Sequence, residues 1–108
     1  MWAQQMKLRV KPGTEAEVRA VMEQVRATEQ QESGLVRTLL MRDQRDPTAI
    51  YVLSVFESEE RARVREQDPR RAEGLRTLQT MMAEVLTSPP EFVDLEVLDE
   101  ITLLSSQP

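Results

Sequence analysis

Nineteen Asp and Glu, one Tyr and fourteen Lys and Arg are the side chains in this 108-residue sequence that could move a proton or hold a charge. There is no His, no Cys and no Asn. That inventory excludes much familiar chemistry. A zinc site, a thiol nucleophile, a Ser-His or Cys-His pair and a His-ligated haem each lack an essential part. A carboxylate serves as a base near neutral pH only when burial raises its pKa, and no spacing singles out one of the nineteen acids. No catalytic residue is assigned from the pattern, and neither a metal nor a cofactor is expected.

The arginines have two readings. Arg61, Arg63, Arg65, Arg70 and Arg71 crowd one stretch, but Glu57, Glu59, Glu60, Glu66 and Asp68 are interleaved with them, the pattern of a solvated, ion-paired helix face rather than a polyanion site. Arg37 interrupts an apolar parity and could bind an anionic ligand or pair with an acid across a sheet or dimer. The net charge of -5 argues against nucleic acid, whose phosphates require clustered cations.

The elements that must position these groups follow from periodicity. Trp2, Met6, Leu8 and Val10 fall on one parity with Lys7 and Arg9 on the other, the period of a strand. After the turn Lys11-Pro12-Gly13, Thr14 stands three residues before Glu17 in a capping-box arrangement, and Val18, Val21, Met22 and Val25 form one helical stripe. Gly34 is expected to close that helix. Apolar runs at Leu35–Met41 and Ile50–Phe56 flank a polar loop, Arg42–Thr48, and predict a hairpin.

Ser58 is a plausible N-cap for a short helix with Glu59 and Glu60 in its first turn. Asp68-Pro69 then caps a third helix whose stripe is Ala72, Leu75, Leu78, Met82, Val85 and Leu86. Ser88-Pro89-Pro90 ends it, and Phe92–Leu98 is the last strand. Its acids, Asp94, Glu96, Asp99 and Glu100, read as a solvated edge that discourages further pairing.

The order β-α-β-β-α-α-β predicts an α+β fold of the ferredoxin-like, split βαβ kind: a four-stranded antiparallel sheet with helices on one face. One domain is expected over residues 1–100, with 101–108 as a C-terminal extension. No run suits a membrane span or secretory signal, so the expected compartment is the cytoplasm, with which zero Cys is consistent.

Helices on one face leave the other uncovered. Yet strand three is apolar on both parities, Tyr51, Leu53 and Val55 against Ile50, Val52 and Phe56, and strand two sets Leu35, Leu39 and Met41 against Val36 and Leu40. Each fully buried aliphatic side chain is worth about 1.5–3 kcal/mol, so a handful left in water would cost most of a small domain's stability. A homodimer formed sheet face to sheet face is therefore expected, with Ile101, Leu103 and Leu104 able to reach across to the partner.

Several pieces together carry a resemblance. The opening strand running into Lys11-Pro12-Gly13, then Glu32-Ser33-Gly34-Leu35, Tyr51-Val52-Leu53-Ser54-Val55-Phe56-Glu57-Ser58 and Asp68-Pro69 resemble the antibiotic biosynthesis monooxygenase family of the dimeric α+β barrel superfamily over residues 2 to about 99. The resemblance implies a dimeric barrel with a pocket in each protomer between sheet and helices. It implies activities such as cofactor-independent oxygenation of polycyclic phenols or quinols, haem degradation and quorum-signal processing. The haem-degrading branch carries an Asn on strand one, a Trp ending strand three and a His on the last long helix. Here the first two positions align with Met6 and Phe56, and no His follows Asp68, so haem degradation is not expected.

If Met6 and Phe56 face the pocket as the resemblance implies, parity adds Trp2 and Gln4 on strand one and Ser54 on strand three; Met82 lies on the third helix. Gln4 is polar on an apolar parity, so it needs a partner, unless strand one begins late and leaves it wet. Trp2 could wall a pocket or cover a core edge, and Met82 could shape a pocket or fill a core. Tyr51 has the opposite parity and belongs to the dimer side. The expected ligand is a small hydrophobic or aromatic molecule. Three functions remain open: a cofactor-independent monooxygenase of an aromatic or enolic compound, a non-catalytic dimeric binding or accessory module, and a purely structural dimerisation domain.

Overall fold

The structure is a computed structural model that describes residues 1–103. Along the chain run β1 (Trp2–Arg9), α1 (Glu15–Thr28), β2 (Leu35–Asp43), β3 (Asp46–Phe56), α2 (Glu59–Glu66), a 3-10 turn (Pro69–Arg71), α3 (Ala72–Val85) and β4 (Glu91–Glu96). The strands form one antiparallel sheet in the order β2-β3-β1-β4. This is the expected α+β ferredoxin-like fold, with strand four ending two residues earlier than the apolar pattern suggested.

Register decides which side chains share a face. Trp2 pairs with Phe56, Gln4 with Ser54, Met6 with Val52 and Leu8 with Ile50. On the other side of β1, Met6 meets Phe92 and Gln4 meets Asp94. These even-numbered positions face the helices: Leu8, Val10, Ile50 and Val52 pack with Val85 of α3, and Trp2 and Phe56 pack with Ala62 of α2.

A register shift between Leu35 and Arg37 corrects the reading of strand two. Leu35 pairs with Phe56 and joins the Trp2 cluster on the helix side, whereas Leu39 and Met41 pair with Leu53 and Tyr51 on the opposite side. A bulge adds one residue to one strand, so strict alternation cannot hold across it. The hairpin is also tighter than the seven-residue polar loop expected. Asp43 accepts the Arg45 N–H at 2.8 Å, and Asp46 accepts from Thr48 N–H and Oγ1 and pairs with Arg9 at 2.6 Å, so the polar ends continue as strand.

Two helix signals act as read. Ser58 Oγ accepts the Arg61 N–H at 3.1 Å and Asp68 accepts the Arg70 N–H at 2.9 Å, though Pro69 opens a 3-10 turn before α3. Two do not. Thr14 donates to the Lys11 carbonyl at 2.6 Å instead of capping α1, and α1 ends at Thr28, whose hydroxyl bonds the Gln24 carbonyl at 2.8 Å, well short of Gly34. Gly34, at φ +89°, instead lets the Arg61 side chain of α2 lie against the chain; an added Cβ would stand 2.6 Å from Arg61 Cβ. Gly74 similarly admits Thr28, whose Oγ1 would lie 2.3 Å from an added Cβ, and this draws α3 close to α1.

The face away from the helices is open. Leu39, Met41, Val93 and Leu95 are 37–49 % exposed there, beside half-buried Tyr51, Leu53 and Val55. No helix among the described residues is long and apolar enough to cross a membrane. In the expected extension, Ile101 and Leu103 are exposed; Leu104 and Ser105–Pro108 lie outside the described residues.

Candidate functional site

A cavity of about 690 Å³ lies between the sheet and the helices. The sheet contributes Gln4, Met6 and Leu8 from β1, Val52 and Ser54 from β3, and Thr38 and Leu40 from β2. The apolar stripes read from sequence supply the opposite wall, Val18 to Val25 of α1 and Leu75, Leu78 and Met82 of α3. Its volume falls within the roughly 300–1,000 Å³ of small-molecule sites, and an apolar lining with a few placed polar groups is their usual composition.

Four of the six candidates line this cavity: Gln4, Met6, Ser54 and Met82. Trp2 and Phe56 do not. They share the helix-side parity, but α2 descends on that end of the sheet, and their rings meet at 5.9 Å over Ala62. Arg63 stacks over Trp2 at 4.9 Å and Arg65 over Phe56 at 5.2 Å, so both aromatics form a buried buttress beside the cavity.

Gln4 has the partner its position demands. Its amide donates to Asp94 at 3.0 Å, and Asp94 also accepts from Arg63 at 2.9 Å, which in turn reaches Glu59 and Glu66. These bonds from Gln4 and Arg63 hold the Asp94 carboxyl below its ordinary pKa. The acid read as part of a solvated edge thus ties β4 to β1 and α2. Across the cavity floor Thr38 and Ser54 share a hydroxyl contact at 3.3 Å. Arg37 is exposed and makes no ion pair among the described residues.

The charged end is what sequence reasoning missed. Within the arginine run, Arg65 and Arg71 turn inward and line the cavity. Arg65 grips Glu29 at 2.6 Å with both partners largely buried. Burial pushes the Glu29 pKa up, but the hydrogen bonds from Arg65 and Ser33 and the charges of Arg65 and Arg71 outweigh it, and the net direction is down. Arg71 is only 8 % exposed; one nitrogen donates to the Arg65 carbonyl at 3.2 Å, while its Nε is sealed from water with no hydrogen-bond partner. Burial and the neighbouring Arg65 lower the Arg71 pKa. Nothing in the alternating charges distinguishes these two, because orientation depends on tertiary packing: Arg71 ends the 3-10 turn that opens at Pro69 and lines the cavity from there.

No tuned base is evident. The carboxylates shifted from their ordinary values, Glu29, Asp46, Asp68 and Asp94, are all shifted downward, by hydrogen bonds and neighbouring cations. Among the described residues no group of acids is placed to hold a metal ion.

Comparison with known proteins gives a consistent picture. The profile of the family described as "Antibiotic biosynthesis monooxygenase" matches residues 1–74. Among curated proteins no sequence matches. Solved structures of the same shape include a candidate antibiotic biosynthesis monooxygenase from Caulobacter crescentus, 16% identical over 91% of this chain and 90% of that one, with a TM-score of 0.73. Rv0793 from Mycobacterium tuberculosis is 17% identical over 94% and 98% of the two chains, with a TM-score of 0.71. The NE2512 protein of unknown function from Nitrosomonas europaea is 22% identical over 96% and 95%, with a TM-score of 0.70. At such identities the likeness is one of fold.

Proposed function

Because this chain belongs to the antibiotic biosynthesis monooxygenase family, we propose that it binds an aromatic or enolic small molecule in the sheet–helix cavity and oxygenates it without a cofactor. The observation that carries this reading is the cavity itself, about 690 Å³, largely apolar on both walls, with polar groups at Gln4, Thr38 and Ser54 of the sheet, Thr28 and Gln79 of the helices, and a charged end formed by Arg65, Glu66 and Arg71. In such a reaction the ionised substrate supplies the electrons. Dioxygen adds at a ring carbon that carries hydrogen, the O–O bond and that carbon's C–H bond break, one oxygen remains on the carbon, and the other leaves as water with two hydrogens taken from the substrate, which ends at the quinone level. The protein's part is to exclude water, orient the ring and stabilise the ionised substrate.

The protomers pair through their open sheet faces in this proposal. Support comes from Leu39, Met41, Leu53, Val93 and Leu95, which form one apolar surface that a second copy would bury.

A non-catalytic binding module is the second reading, favoured by the downward shift of every carboxylate that departs from its ordinary value. Oxygen uptake above the uncatalysed rate, measured with a panel of quinols and enolisable aromatic ketones, decides between them. Turnover that incorporates labelled dioxygen and is lost in Leu75→Trp, which fills the cavity, supports the oxygenase. Ligand-dependent thermal stabilisation without oxygen uptake supports the binding module and contradicts the oxygenase.

A further inference from the structure

Resting on the reading of the cavity as a ligand pocket, we infer that its Arg71 end is a binding site for the anionic oxygen of an otherwise apolar ligand. That oxygen belongs to a carboxylate or to an ionised phenol or enol. Arg71 is a cation held in the cavity wall with one N–H unpartnered. An unpaired buried donor costs about 1–3 kcal/mol, and more when the group is charged. Buried arginines ordinarily have a carboxylate.

Three acids lie close enough for their charge to reach Arg71, namely Glu29, Asp68 and Glu66. Each is committed elsewhere. Glu29 is held by Arg65 at 2.6 Å, Asp68 by Arg70 at 2.7 Å and Glu66 by Arg63 at 3.0 Å. Arg71 is therefore without an ion-paired carboxylate of its own among the described residues where the apolar cavity meets the turn before α3, although Glu66 shares the cavity lining with it. A purely structural arginine would hold one of these carboxylates itself, whereas each of the three is in ion-pair contact with another arginine and reaches Arg71 only by its longer-range charge.

A ligand oxyanion meets that charge and fits the rest of the lining, with an aromatic body against Leu78, Met82 and Val52. The assignment also bears on the proposed chemistry. A fixed cation beside a phenol or enol favours its ionised form, which is what a site lacking a tuned base needs.

The test titrates the full-length protein with 2-naphthoate, neutral 2-naphthamide and 1-naphthol, following the Arg71 Nε–H and the Met82 methyl by NMR. Expected are binding of 2-naphthoate at least about tenfold tighter than the amide, a displaced Arg71 Nε–H signal with the anion only, and loss of the preference in Arg71→Met. Equal affinities in the unmodified protein, or 2-naphthoate binding that leaves the Nε–H unmoved, overturns the inference whether or not the variant folds. Amide binding without charge preference sinks this assignment but leaves the pocket reading intact. Silence of the Met82 methyl to every probe sinks both. A naphtholate absorption band at neutral pH identifies the phenol or enol as the source; its absence beside tight 2-naphthoate binding identifies the carboxylate.

Discussion

Val52 and Leu53 are neighbours in β3 with opposite fates. Val52 is buried against Leu8, Ile50 and Val85, while Leu53 lies half-exposed between Gln5 and Leu39 on the open face. Both faces of the sheet are apolar, yet only one is covered by helices. Even that cover leaves a cavity where α1 and α3 bridge from the Thr28–Gly74 contact to the Val85 cluster. Apolar residues therefore stand in two settings here: on the helix side they enclose a cavity proposed to take a ligand, and on the open side they form an exposed face proposed to meet a second copy.

The pair offers the sharpest way to break the comparison. Val52→Asp places an unpaired charge in the core and should abolish cooperative folding, a loss of more than about 4 kcal/mol read by circular dichroism. Leu53→Asp should leave the protomer folded and weaken self-association by about a hundredfold or more in sedimentation experiments. If both variants unfold, or neither changes assembly, the two faces do not differ as argued.

Smaller effects test the helix side. Gly74→Val would drive side-chain atoms into Thr28 and separate α1 from α3, destabilising by about 2–3 kcal/mol in chemical denaturation. Glu29→Gln removes the acid that holds Arg65 and adds to the positive charge around Arg71, costing about 2 kcal/mol near neutral pH. The sign of its pH dependence is fixed by the lowered Glu29 pKa. The carboxylate's contribution is complete above the ordinary value of 4.5 and disappears as pH falls through the lower folded value, so the variant should lose less stability than the parent on acidification. Asp68, lowered to about 2 by Arg70, contributes in the same direction at more acid pH. The smallest effect is expected from Met82→Ala. A side chain already facing a void loses fewer contacts than one in a packed core, so the cost should be about 1 kcal/mol, below the usual 2–5 for such truncations.

Much of this architecture was legible in the chain because it rests on local rules. Strand parity placed Gln4, Met6, Val52 and Ser54 on one face, and Ser58 and Asp68 announced helix starts that form as hydrogen-bonded caps. What escaped depends on tertiary approach. Thr14 has a suitable spacing but turns its hydroxyl to Lys11, and Gly34 answers to Arg61 rather than to the end of α1. The bulge after Leu35 switches that side chain to the helix side. Trp2 and Phe56 share parity with the cavity residues, but α2 covers them. Arg65 and Arg71 matched their solvated neighbours in type and spacing; only the packing of α2, α1 and the 3-10 turn separates inward from outward arginines.

The division of labour between the two faces is tested most directly by native mass spectrometry of the gently purified protein at micromolar concentration. The account predicts a species at twice the 12.4 kDa chain mass that reverts to the single-chain mass in Leu53→Asp. A parent protein that remains monomeric at that concentration would contradict it.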